Sequence, residues 1–331
     1  MNLFWSTRAL TAAREDHLTE FLAAAIENSG PFRTAYTECI LGDFSKLSGR
    51  AMPMIQEVKT QASFPGTTCC PDMLLTLSDG RKIACEHKLD ALETMGPEKD
   101  PRAQLRRYLD LPIDGLLYVR TLWKPPSSEV INHPKYIRPK GREHFLWRDF
   151  FPLLSCETHV ILDWLRDGFE RLGFTPPHPS VGEMSGPDEE INLANRKNFA
   201  KLWQSTRSAA HSLGWKVTTG SIVELYLSNN SSSLASWIFI SPAKFDRFLF
   251  RVTPNDGKIK AVISQLKQVA GQLSDRLEIK NYQISRKGGK EEVVDVTTSL
   301  RKLLGTEPQS PEGIEARLLG TVEPLLLALQ T

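Results

Sequence analysis

The chain has 331 residues, a formal net charge of +2, and 24% charged against 40% hydrophobic residues. That balance excludes disordered, collagen-like and membrane-spanning classes, since no run approaches the roughly 20 apolar residues a bilayer needs. Near-neutrality also means that any affinity for a polyanion must come from a local basic surface, not from the molecule as a whole.

The length favours two domains of about 150 residues each. The N-terminus, MNLFWSTRALTAARED, has neither the apolar stretch nor the small-residue cleavage site of a secretory signal. The five cysteines, Cys39, Cys69, Cys70, Cys85 and Cys156, show no CxxC spacing. They are expected to be reduced packing residues in a cytoplasmic protein.

In chain order, Ala12 to Asn28 places Leu18, Phe21, Leu22, Ala25 and Ile26 at helical spacing, with Gly30-Pro31 read as the stop. Met54 to Ala62 alternates as a strand does. PDMLLTLSDGRKIACEHKLD reads as two strands, Asp72 to Leu77 and Arg81 to Leu89, turned at Ser78-Asp79-Gly80. Pro101 to Leu111 starts with a helix-initiating proline and carries Leu105, Tyr108 and Leu109 on one side. Gly115 to Leu122 is an apolar run that fits a buried strand, and Phe145 to Leu172 supplies one or two helices.

FTPPHPSVGEMSGPDEE then lacks apolar periodicity, which predicts a linker over 176–190 between domains spanning 1–175 and 191–331. The second half is expected to hold a helix over Leu193 to Leu213 and strands at Ile222 to Leu227, Ser236 to Ile240 and Phe248 to Val252. A helix at Lys258 to Leu273, a strand near Leu277 to Ser285 and a C-terminal helix complete an α+β domain.

The hairpin carries the chemistry. Its strands run antiparallel, so Asp72 and Glu86 can meet at one end of the sheet. Glu86 and Lys88, two apart, leave the same face, while His87 leaves the other. Carboxylates and an ammonium among apolar strands are costly unless paired or bound to a metal. Two hard carboxylates suit Mg²⁺ or Mn²⁺, and a neighbouring ammonium can orient a water for attack on phosphorus.

Pro71-Asp72 followed by Glu86-His87-Lys88 resembles the PD-(D/E)xK motif of the restriction-endonuclease-like nuclease superfamily. An acidic helix before the strands, carrying Glu20, fits the pattern, with Glu15 and Asp16 as alternatives on that helix. QLRRY, with Gln104 and Tyr108 one helical turn apart, is similar to the QxxxY motif of the RecB-like branch. Together these segments resemble a bacterial group found among phage-defence and mobile-element genes; the likeness covers about the first half of the chain.

The resemblance implies an α/β restriction-endonuclease-like core, a mixed central sheet flanked by helices. Asp72, Glu86 and Glu20 would ligate the metal, with the His87 backbone carbonyl as a further ligand. Lys88 would position the attacking water and Gln104 would brace the site or touch a phosphate. The implied activity is a Mg²⁺- or Mn²⁺-dependent deoxyribonuclease acting against phage or other foreign DNA. An RNA-cleaving toxin-type nuclease, or a binding module that has lost catalysis, uses the same parts.

From Arg102 to Arg148 basic residues outnumber acids, as a backbone-tracking surface or an ordinary charged loop would show. The expected nucleic-acid contacts are Tyr108, Arg106, Arg107, Lys124, Lys135, Arg138, Lys140 and Arg142. The second domain is expected to serve recognition, regulation or dimerisation through a copy of itself or a partner protein.

Overall fold

The computed structural model describes residues 2–8, 14–48, 52–89, 91, 93–219, 222–244, 247–273, 277–286, 289–305 and 310–330. The chain forms two compact units, Met1–Pro176 and Pro177–Thr331.

The first unit is built on a mixed sheet of β1 (Ile55–Thr60), β2 (Met73–Leu77), β3 (Lys82–His87), β4 (Gly115–Arg120), β5 (Tyr136–Ile137) and β6 (Phe145–Leu146). Strands β1, β2 and β3 are antiparallel neighbours; β4 runs parallel to β3, and β5 and β6 both pair with β4 in parallel. The β2–β3 turn forms where expected. Gly80 has φ 83°, a left-handed conformation that glycine adopts without steric cost, and Asp79 Oδ1 accepts the Arg81 N–H at 3.2 Å.

Helices α1 (Leu3–Arg8), α2 (Arg14–Asn28), α3 (Gly30–Ser48), α4 (Gln104–Tyr108), α5 (Ser128–Ile131) and α6 (Val160–Leu172) flank this sheet. Alternation along the strands sorts their side chains into two layers. Met73, Leu75, Leu77, Ile83, Cys85, Leu117 and Val119 pack in one core with Leu18, Leu22 and Ile26 of α2 and with Phe169 of α6. Leu74, Ala84, Leu116 and Tyr118 pack on the opposite side against Leu105 and Tyr108 of α4 and Val130 of α5. Burial on both faces explains why β2 and β4 read as largely apolar runs without polar alternation.

Gly30-Pro31 does not end a helix; it opens one. Only Ser29 interrupts the helical run, and its Oγ accepts the Phe32 N–H at 3.0 Å, as an N-cap does. Proline in a first helical turn sacrifices only an N–H that would have no intrahelical partner. Ala12 and Ala13, the first residues of the expected first helix, lie outside the described residues.

The second unit contains α7 (Glu189–Leu202), α8 (Gln204–Ser212), β7 (Lys216–Thr219), β8 (Leu225–Ser228), β9 (Ala235–Lys244), β10 (Arg247–Pro254), α9 (Ile259–Leu273), β11 (Glu278–Arg286), β12 (Gly289–Thr298), α10 (Leu300–Leu304) and α11 (Pro311–Leu327). Its sheet is antiparallel in the order β11-β12-β10-β9-β8-β7. Phe248, Phe250 and Val252 of β10 share a core with Trp203, Leu266 of α9 and Leu318 of α11.

From Pro177 onward the residues of the expected linker belong to the second unit and are fastened to α7 by asparagines. Asn198 Oδ1 accepts the His178 N–H, and Asn198 Nδ2 donates to the carbonyls of His178 (2.9 Å) and Ser180 (3.1 Å). Asn195 donates to Glu183 O, Asn192 donates to Gly186 O, and Met184 is fully buried.

Candidate active site

The register of β2 and β3 sets Met73 opposite Cys85, which brings Asp72 and Glu86 level at the same end of the hairpin. Asp72 Oδ2 accepts the His87 N–H at 2.7 Å, locking the entry to β2 onto the end of β3. Glu86 is 0% exposed and Lys88 7%, and the Lys88 Nζ lies 2.5 Å from Glu86 Oε1. The ammonium is close, but neither Glu86 oxygen has an aligned hydrogen-bond donor.

Lys88 also faces Glu15 of α2, whose Oε2 is 3.7 Å from its Nζ; Glu15 Oε1 accepts the Leu89 N–H at 2.8 Å. The helix thereby holds both the lysine and the backbone that follows it. On the other face of β3, His87 is fully buried, with Thr19 Oγ1 2.8 Å from its Nδ1 and the Trp147 ring tilted against it at 4.9 Å between centroids. It packs away from the acids, as the alternation of the strand requires.

Gln104 and Tyr108 border the same site from α4. Gln104 Nε2 donates to the Tyr108 hydroxyl at 2.8 Å, and that hydroxyl donates to Cys70 O at 2.9 Å, two residues before Asp72. A phenol has one proton, so the Tyr108 hydroxyl serves Cys70 O or Glu86 but not both.

The electrostatics follow from burial. Burial chiefly, and Asp72 next, push Glu86 up to about 8. Burial raises Asp72 to about 6, against the opposing His87 N–H and Lys88 charge. The Lys88 ammonium is disfavoured by burial, but Glu86, Asp72 and Glu15 outweigh that and raise it above its ordinary value. Burial pushes His87 down to about 3, so this ring is neutral. The site therefore holds more carboxylate than its single ammonium balances, in a place where water does not solvate the surplus.

Several expected residues lie elsewhere. Glu20 is exposed, and Glu15 occupies the place expected for it. At about 100° per residue, Glu20 stands about 140° around α2 from Glu15, while the buried residues Leu18, Thr19, Leu22 and Ile26 centre near Glu15. Tyr108 is 2% exposed, so its hydroxyl braces the site and the ring offers no stacking surface.

The expected basic surface is thinner than its sequence. Arg106 pairs with Glu129 at 2.8 Å, and buried Arg107 donates to Thr68 Oγ1 at 3.3 Å. Lys135 donates to the carbonyls of Leu109 and Leu111 at 2.9 and 3.0 Å, satisfying chain ends just after α4, and Arg142 pairs with Asp149 at 3.0 Å. Lys124, Arg138 and Lys140 are exposed. Trp147 is fully buried and Tyr136 is 8% exposed, so neither ring is presented to a base.

Among the described residues no group of three or more His, Cys, Asp or Glu side chains is arranged to hold a metal ion. The side-chain donors that converge are the two carboxylates of Asp72 and Glu86. The second of these has both oxygens buried, with the Lys88 ammonium 2.5 Å from Oε1 but no aligned donor on either oxygen, a setting that suits a hard cation.

No family model and no curated protein matches the chain. Among solved structures, YbjN from E. coli aligns at 16% identity with a TM-score of 0.19, covering 35% of this chain and 86% of YbjN. That superposition is too poor to assign a fold. Among the described residues no helix is long and apolar enough to cross a membrane.

Proposed function

We propose that the first unit is a metal-dependent nuclease of the PD-(D/E)xK kind, hydrolysing phosphodiester bonds of DNA in defence against phage or other foreign DNA. The observation that carries this reading is the Glu86 carboxylate, fully buried with neither oxygen matched by an aligned donor, beside buried Asp72 and Lys88. One ammonium does not balance the carboxylates of Asp72, Glu86 and Glu15 that face it, and burying the surplus is costly unless a further positive charge completes it.

Asp72 and Glu86, with the His87 carbonyl, would hold Mg²⁺ or Mn²⁺. When bound, such an ion supplies a Lewis acid that offsets charge building on the phosphate. Lys88 would orient the attacking water and stabilise that charge, with Glu15 fixing the direction of its ammonium. Gln104 and Tyr108 would keep Cys70 and Pro71 in place, and so keep Asp72 aimed inward. Exposed Lys124, Arg138 and Lys140 would meet the polymer's backbone. The second unit would serve recognition, regulation or pairing with another chain, consistent with a nuclease that must be restrained inside its host.

The test incubates the wild-type chain, Asp72→Ala and Lys88→Ala with supercoiled, linear and single-stranded DNA and with RNA, in Mg²⁺, Mn²⁺ or EDTA. Cutting that needs the metal and disappears in both variants is the expected result. Cutting that survives in the variants or in EDTA places the chemistry elsewhere. Preference for RNA would move the reading to a toxin-type nuclease, and metal binding without cutting would move it to a binding module.

A further inference from the structure

Arg120, the last residue of β4, is 4% exposed. Its Nη1 donates to the Tyr118 hydroxyl at 2.7 Å and its Nη2 to the Ala91 carbonyl at 2.9 Å, both neutral acceptors. Its Nε is buried with no partner, and none of the ion pairs among the described residues includes it. Glu93, an acid on the same side, accepts the Leu105 N–H instead.

A guanidinium in this state is unusual. Removing an ion from water is costly unless an opposite charge answers it. The other buried ions of this site do answer one another, Lys88 with Glu86 and Glu15. Among the described residues Arg120 has no acidic partner; its guanidinium carbon lies 5.7 Å from the centre of the Tyr118 ring instead.

Its position says what could supply one. Glu86 stands opposite Tyr118 in the parallel β3–β4 register, so Glu86 and Tyr118 share a face of the sheet. Two residues on, Lys88 and Arg120 leave that same face from adjacent strands. The Lys88 N–H donates to Val119 O at 2.9 Å, which fixes the end of β3 to β4 at this point. Arg120 is 4% exposed, against 8% for Asp72 and 7% for Lys88, so it lies somewhat deeper than they do on the same face.

We propose that Arg120 binds a backbone phosphate of the nucleic acid next to the one held at Asp72, Glu86 and Lys88. This rests on the nuclease reading for the identity of the polymer. The planar fork, already oriented by Tyr118 and Ala91, offers its Nε and the remaining N–H groups to a phosphate, a geometry that matches two oxygens at once. The contact places the strand along β4, and the site reads charge there, not base identity.

The test measures binding and cutting separately on the full chain. Fluorescence anisotropy of labelled 12-nucleotide single-stranded and duplex DNA and of RNA, in Ca²⁺, compares wild type, Arg120→Lys and Arg120→Gln over a range of salt. Arg120→Gln is expected to weaken binding about tenfold and to lower the slope of log K against log salt by about 0.7 to 0.9, the loss of one phosphate contact. Arg120→Lys is expected to keep the slope while losing part of the affinity, a pattern that a merely structural arginine would not give. If Arg120→Gln does not fold, oligonucleotides neutralised by methylphosphonate at one linkage at a time replace it. One linkage beside the scissile phosphate should then weaken binding to the wild-type chain about tenfold and to Arg120→Lys by less.

An unchanged affinity and slope in folded Arg120→Gln overturns the proposal while leaving the nuclease reading intact. Binding through Arg120 without cutting in Mg²⁺ or Mn²⁺ keeps the phosphate site and overturns the nuclease reading. A wild-type chain that binds none of the nucleic acids overturns the proposed site.

Discussion

Replacing Glu86 by glutamine tests the charge imbalance directly. In the folded, metal-free chain Glu86 is raised from 4.5 to about 8, so folding takes up a proton there. A carboxyl raised on folding contributes most at low pH and progressively less as pH climbs from its unfolded to its folded value. At pH 7 the cost of burying it is about 1.4 kcal/mol for each unit above 4.5, or about 3 kcal/mol. Glutamine removes that cost but also removes the partner that stabilises the Lys88 ammonium, so the net gain should be about 1–3 kcal/mol. At about 2–4 °C per kcal/mol for a unit of this size, Glu86→Gln should melt several degrees above wild type in EDTA at pH 7. The difference should vanish near pH 4. Saturating Mn²⁺ should reverse the order: a ligand at 100 times its Kd adds about 2.7 kcal/mol to wild type and little to the variant. Melting curves by circular dichroism, with and without Mn²⁺ at pH 4, 5.5 and 7, read all of this. A variant less stable than wild type at every pH, together with no Mn²⁺ shift in wild type, would refute the account of a carboxylate awaiting a cation.

Three further outcomes follow from the same geometry. His87, lowered from 6.5 to about 3 by burial, contributes stability that is complete above pH 6.5 and is lost as pH falls toward 3, at about 1.4 kcal/mol per unit. Urea denaturation at pH 7 and 4.5 should therefore show a shallower acid loss in His87→Phe than in wild type, by about 3 kcal/mol; equal losses would contradict a neutral buried ring. Tyr108→Phe removes the bond to Cys70 O and the acceptor of Gln104. It should cost about 1 kcal/mol and reduce cutting, whereas Arg106→Ala, which breaks a largely exposed pair, should change melting by less than about 0.5 kcal/mol. Asn198→Ala releases His178 and Ser180 from α7, and limited proteolysis should then cut within 177–187 faster than in wild type; an unchanged digestion pattern would mean that the bonds from Asn192 and Asn195 and the burial of Met184 suffice to anchor the segment.

How much of this was legible in the sequence depends on where the determining interaction lies. The β2–β3 hairpin was legible because Asp79-Gly80 and the flanking apolar runs act locally. The 176–190 segment was not, because its order comes from the asparagine side chains of α7, met only after the chain folds back. Prolines and glycines there still mark irregular backbone, but irregular backbone can be pinned. Helix α3 was missed for a related reason: Gly30-Pro31 punctuates both ends and beginnings, and only the Ser29 cap decides which. Strand β12 begins with Gly-Lys-Glu-Glu, whose charges hide the buried Val293, Val294 and Val296 that follow.

The candidate site divides in the same way. Asp72, Glu86 and Lys88 converge because a two-residue period and an antiparallel turn are sequence properties. The acid contributed by α2 is a question of helical phase. Four acids lie in or near its sequence, and only the apolar positions say which one turns inward. Leu18, Thr19, Leu22 and Ile26 are all buried, and the centre of that stripe points at Glu15 and away from Glu20. The phase was therefore present in the sequence, although the acid nearest the strongest apolar run was Glu20. The basic residues differ in kind. Whether an arginine or lysine is free for a polyanion depends on what else its charge meets, and Arg106, Arg107, Lys135 and Arg142 all meet protein groups. Arg120 reads in sequence as one charge in a strand; only its burial against two neutral oxygens distinguishes it from those four. Counting cations along the chain therefore overstates the surface available to a nucleic acid and overlooks the cation that is buried with no acidic partner among the described residues.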